Sequence, residues 1–164
     1  VDSTDQPTTT VRSTIALQDL TPQQQAERVE ALTEPSTTVS KPTTTLAPFN
    51  PETKCQEWFA SAISVGWPNN TETLEKLGRL LWKETRCLNI TPLSSDPELV
   101  KWFNGHDHGI AQINQIHTKY VEQVFNMPFV EAMSDPTLNL RYAYILYSER
   151  ETKGQCGWQP WSLC

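Results

Sequence analysis

The six Trp, four Tyr and five Phe residues of this 164-residue chain all lie at Phe49 or beyond. Aromatic side chains supply much of the area a small core buries, and the first 48 residues have none. That stretch instead holds twelve Thr, many in runs such as 8–10 and 43–45. A segment so poor in apolar surface cannot offset the entropy of ordering it. Residues 1–48 are therefore expected to be a disordered Thr/Pro-rich linker or stalk, and residues 49–164 a single folded domain. One helical signal interrupts the tail. Thr21-Pro22-Gln23-Gln24 reads as a capping box opening a segment that runs to Leu32, although a helix this short is marginal in isolation.

The four cysteines, Cys55, Cys87, Cys156 and Cys164, all fall in the second region. An even count in a small domain behind a Thr-rich stalk points to disulfides and an oxidising compartment rather than reduced core thiols. Four cysteines allow three pairings and the sequence does not select one. Cys55–Cys87 with Cys156–Cys164 is the expected set, worth about 3.5 and 2.5 kcal/mol in the loop-entropy model. No close Cys pair has zinc-ligand spacing.

The net charge of −6 is shared evenly between the two regions, so nothing resembles a basic nucleic-acid footprint. No hydrophobic run is long enough to cross a bilayer. No signal peptide is visible, as expected of a processed form beginning at Val1. The protein is expected to be secreted or cell-wall associated, and monomeric.

The domain reads as α+β and mainly α-helical. Residues 52–65 form a first amphipathic stretch and residues 72–88 a second. Asp96-Pro97 caps a short helix carrying Leu99, Val100 and Trp102. Asn104-Gly105 is a turn, residues 109–114 look extended and half-buried, and residues 117–126 are helical again. Asp135-Pro136 opens a last helix to about Thr152, ended by Gly154. Its apolar residues point nearly everywhere, as in a helix buried on all sides.

The second stretch contains a carboxylate out of place. At about 100° per residue, Leu74, Leu77, Leu80, Leu81 and Leu88 make one stripe, while Glu75, Lys76, Arg79, Lys83 and Arg86 make the opposite face. Glu84 falls within the leucine stripe. A carboxyl held against apolar side chains has its charged form disfavoured, as a general acid working near neutral pH requires. The competing explanations are a structural pair with a buried arginine such as Arg141, or a helix end already in solvent. The helical wheel alone does not separate them.

Four stretches, taken in order, narrow the choice. Leu80-Leu81-Trp82-Lys83-Glu84-Thr85-Arg86 is followed by Asp107-His108-Gly109-Ile110-Ala111-Gln112-Ile113-Asn114. Next come Asp135-Pro136-Thr137-Leu138-Asn139-Leu140-Arg141-Tyr142-Ala143-Tyr144-Ile145-Leu146-Tyr147 and Gly157-Trp158-Gln159-Pro160-Trp161-Ser162. Each alone is weak, but the order and spacing over about 55–162 resemble the lysozyme-like superfamily. The nearest likeness is to the bacterial and phage lytic transglycosylase domains. The resemblance implies a lysozyme-like fold with a small β-hairpin lobe and a peptidoglycan glycosidase cleaving between N-acetylmuramic acid and N-acetylglucosamine, with Glu84 as catalytic acid. It further implies that Gln112 and Asn114 border the substrate, that residues 139–144 form the helix supporting the acid, and that Tyr144, Trp158 and Trp161 contact the glycan. Both Trp residues are also ordinary core candidates.

Asp107 stands where animal-type lysozymes place a second carboxylate. Facing the substrate, it would act as nucleophile, base or charge stabiliser. Facing away, it would cap a turn, and the substrate's own N-acetyl group would act instead, giving a 1,6-anhydro product. His106, His108 and His117 lie nearby on a predicted turn without a further clear ligand, so neither metal nor cofactor is expected. The sequence departs from the family at Thr85, where many members have Ser, at His108, where Tyr or Arg is common, and at Leu146, where some branches have Tyr. Two other functions stay open: a hydrolase of a chitin-type polymer and a glycan-binding module without turnover. The sequons Asn69-Asn70-Thr71 and Asn89-Ile90-Thr91 matter only in a eukaryotic secretory host.

Overall fold

A computed structural model describes residues 52–164. The tail expectations, including the capping box at Thr21, lie outside the described residues. The helices start where the sequence supplies caps. After a single 3-10 turn at Gln56–Trp58, α1 runs Phe59–Ser64. Helix α2, Thr71–Thr85, is capped by Asn70, whose Oδ1 accepts from the Thr73 amide at 2.9 Å. Helix α3, Pro97–Trp102, starts on Asp96, whose Oδ1 accepts from the Glu98 amide at 2.9 Å, with Pro97 in the first turn. Helix α4 is Thr118–Phe125 and α5 is Phe129–Ser134. Asp135 caps α6, Pro136–Thr152, through the amides of Thr137 at 2.8 Å and Leu138 at 2.9 Å. Each cap satisfies amides that have no partner inside the helix.

The domain is mainly helical, with one two-stranded antiparallel hairpin. Strand β1, Asp107–His108, pairs with β2, Ile113–Asn114, placing Asp107 opposite Asn114 and His108 opposite Ile113. Residues 109–114 were expected to be one extended run, but 109–112 form the turn of the hairpin. Gly109 (φ 74°) and Gln112 (φ 50°) both take the left-handed conformation, which interrupts a regular extended run. The Gln112 side chain closes the turn by donating to the Gly109 carbonyl at 2.8 Å. Gly109 is required for a second reason: a Cβ there would collide with the Asn139 amide and the Met133 carbonyl.

Helix α2 stops at Thr85 rather than Leu88, because Arg86 (φ 56°) and Cys87 (φ 68°) turn left-handed. Leu74, Leu77, Leu80 and Leu81 are fully buried, whereas Leu88, past the turn, is 36% exposed. Gly78 lets the segment before α1 cross over α2, since a Cβ would meet the Lys54 carbonyl oxygen. The Cys55–Cys87 disulfide fastens that crossing, and Cys156–Cys164 closes the C-terminal loop.

Helix α6 is only half as buried as its composition suggests. Asn139, Leu140, Tyr142 and Ala143 are buried, but Tyr144 onward is partly exposed. Tyr144 and Tyr147 instead pack at the edge of Trp67, with ring centroids 5.6 and 5.1 Å away. Trp67 donates its indole N–H to the Leu140 carbonyl at 2.9 Å, joining the loop before α2 to α6. Among the described residues no helix is long and apolar enough to cross a membrane.

Candidate functional site

The hairpin turn is held from every side by residues far away in sequence. The Thr85 hydroxyl, at the end of α2, lies 3.0 Å from the Leu81 carbonyl and 3.1 Å from that of Ile110. The Gly109 amide donates to Ile90 at 2.7 Å. Asn139, on α6 and fully buried, donates to the carbonyls of His108 at 2.9 Å and Met133 at 3.1 Å. Its Oδ1 accepts from the Ala111 amide at 2.9 Å. The Trp161 indole, from the 3-10 turn Gln159–Trp161, donates to the Ala111 carbonyl at 2.9 Å. A turn buried this deeply must have its polar backbone satisfied by side chains. Three of the four stretches that stood out in the sequence supply those side chains, through Thr85, Asn139 and Trp161.

Glu84 immediately precedes this joint. Its side chain is 23% exposed, between buried Leu81 and half-exposed Lys83. The charged group beside it is the Lys83 ammonium, 3.5 Å from Oε1. Lys83 is itself tethered, donating to the Trp161 carbonyl at 2.7 Å. Among the described residues the Glu84 carboxylate accepts no hydrogen bond.

Asp107 is engaged differently. Its Oδ2 accepts from the Asn104 amide at 2.8 Å and its Oδ1 from Asn114 at 2.7 Å, while its backbone N–H donates to Asn104 Oδ1 at 2.8 Å. Asn114 Oδ1 in turn accepts from the Ile116 amide at 3.0 Å. Asp107 and Asn114 therefore brace the outer face of the hairpin and the turn that follows it. Gln112 has its amide nitrogen on Gly109.

Trp158 and Trp161, expected either to contact the glycan or to pack in the core, take the second place. Trp158 and Trp161 are 6% and 5% exposed and belong to the core. Trp158 stacks on Trp67 at 5.5 Å and packs against Tyr147 at 4.8 Å, while Trp161 anchors the hairpin turn, so neither presents a free face. Tyr144 is partly exposed and lies over Gly66 beside Trp67. It belongs to this aromatic group rather than to the joint at the hairpin turn.

The histidines diverge. His108 is buried edge-on between Phe103 and Phe129, at 4.7 and 4.8 Å, and burial lowers its pKa against the opposing pull of Asp107. His117 is lowered by burial too, opposed by Glu149. His106 is exposed and pairs with Gln115. Among the described residues no group of three His, Cys, Asp or Glu is placed to hold a metal ion.

Sequence reasoning assigned no role to Lys83, whose helical position is on the solvent face. Its contact with Trp161 depends on a chain segment 78 residues away. Asn139 carried a signal, a polar residue in an apolar run. No family model, curated protein or solved structure matches this chain.

Proposed function

We propose that this protein is a lysozyme-like glycosidase of the lytic transglycosylase type, cleaving the β-1,4 bond between N-acetylmuramic acid and N-acetylglucosamine in peptidoglycan. Glu84 is its general acid and base. The observation that carries the reading is the contrast between the two carboxylates. Glu84 is partly sheltered, accepts no hydrogen bond among the described residues, and sits one residue before the Thr85 hydroxyl that contacts the hairpin turn at Ile110. Asp107 has both oxygens taken by asparagine amides.

In this mechanism Glu84 gives its proton to the glycosidic oxygen and the bond from that oxygen to C1 breaks. The neighbouring N-acetyl oxygen of the substrate relieves the positive charge at C1. The C6 hydroxyl then bonds to C1 and returns its proton to Glu84, leaving a 1,6-anhydro end. The engagement of Asp107 favours this route over one needing two free carboxylates. The two disulfides fit an oxidising, extracellular setting.

The test is clearance of purified peptidoglycan sacculi by the full chain and by Glu84→Gln. General acid–base catalysis is worth roughly 100- to 10,000-fold, so the variant is expected to fall by at least about 100-fold with an unchanged melting temperature. Equal rates would remove Glu84 from the chemistry. Binding without clearance by the wild type would favour a silent glycan-binding module, and cleavage of chitin oligomers alone would favour the chitin-type hydrolase.

A further inference from the structure

The geometry points to Lys83 as a positioning residue for the Glu84 carboxylate, an inference that rests on the glycosidase reading above. Adjacent residues on a helix project about 100° apart and do not normally face each other. Lys83 reaches Glu84 because the C-terminal segment offers it an acceptor. Its ammonium donates to the Trp161 carbonyl at 2.7 Å, and in that position it stands 3.5 Å from Glu84 Oε1. The other end of Trp161 is fixed as well, its indole N–H donating to the Ala111 carbonyl of the hairpin turn at 2.9 Å. One buried residue therefore links the helix bearing the acid to the hairpin, and Lys83 is the part of that link that touches the acid.

With no hydrogen bond on Glu84 among the described residues, this cation is the group that selects the orientation of its carboxylate. Half of the lysine side chain is in water (51% exposed), so its contribution to folding is small. Its contribution to proton delivery is not limited in the same way, because small misplacements of a reacting group reduce rate steeply.

The experiment measures kcat and KM separately on soluble peptidoglycan glycan oligomers, using the full chain with Lys83→Met, Lys83→Arg and Glu84→Gln. Lys83→Met is expected to lower kcat about tenfold with KM changed by less than about twofold, the pattern of a group that acts at the transition state. Lys83→Arg keeps a donor for the Trp161 carbonyl and is expected to recover most of the lost kcat. Thermal melting establishes that each variant is folded, with Lys83→Gln replacing the methionine variant if that one is not. Wild-type kcat in Lys83→Met, a loss seen only in KM, or an arginine variant no better than methionine would each overturn the proposal. In those cases an inactive Glu84→Gln shows that the glycosidase reading itself survives. Full activity in Glu84→Gln would overturn that reading and this inference together.

Discussion

Among single residues, Asn139 is the one on which the hairpin turn most depends. It is fully buried, and one amide group serves His108, Met133 and Ala111. Truncation to alanine would strand those backbone groups in the interior, at about 1–3 kcal/mol for each one left unsatisfied. Asn139→Ala is predicted to lose about 3–5 kcal/mol in urea denaturation. A loss below about 1 kcal/mol would mean the turn is held by something else. Thr85→Val keeps the shape of the side chain and removes the hydroxyl near Ile110, so a smaller loss of about 1–2 kcal/mol is expected, largely restored by Thr85→Ser. The sequence placed Asn139 in the helix expected to support the acid and noted Thr85 after the odd carboxylate, but it did not show that either holds the hairpin turn. Lys83 went unread, because helical periodicity describes only the neighbours a residue has along its own helix.

At the scale of elements, local chemistry was readable and long-range closure was not. Asp96-Pro97 and Asp135-Pro136 identify the starts of α3 and α6 because capping is settled within four residues. Local patterning read residues 109–114 as one extended run because the left-handed Gln112 is not a glycine, and the turn is imposed by partners on α2, α6 and the C-terminal loop. Helix α5 went unread because six residues are too few to establish a period. The C-terminal loop carries a prediction of its own. Cys164 is exposed and Cys156 half-buried, whereas Cys55 is 5% exposed, so mild reductant should open Cys156–Cys164 first. Loop entropy puts that bridge at about 2.5 kcal/mol. Its reduction is predicted to lower the melting temperature and to red-shift tryptophan emission as Trp161 leaves the hairpin turn. Differential alkylation read by mass spectrometry identifies the opened pair. Reduction of Cys55–Cys87 first, or no change in emission, would contradict this account of the loop.

At the scale of the whole molecule, pH acts through two imidazoles, buried His108 and half-buried His117. Burial lowers the pKa of His108 and His117 from the usual 6.5. Above about 6.5 both rings are neutral whether the chain is folded or not, and they add no pH dependence. As pH falls through that value the unfolded chain takes up protons first, so the folded state loses stability. Urea midpoints are predicted to fall between about pH 7 and pH 5, and to fall less steeply in His108→Phe. An identical slope in that variant would leave His108 without a part in it. The sequence identified a mainly helical, disulfide-stapled domain and one misplaced acid. It did not decide whether Trp158 and Trp161 lie in the core, because an aromatic suited to stacking on a sugar is equally suited to packing. The account as a whole stands on Glu84 breaking a muramic acid linkage, and mass spectrometry of the material released from sacculi tests this most directly. New 1,6-anhydromuramic ends from the wild-type chain, absent with Glu84→Gln, are the predicted result. Uncut strands with both proteins, or the same ends from both, would contradict it.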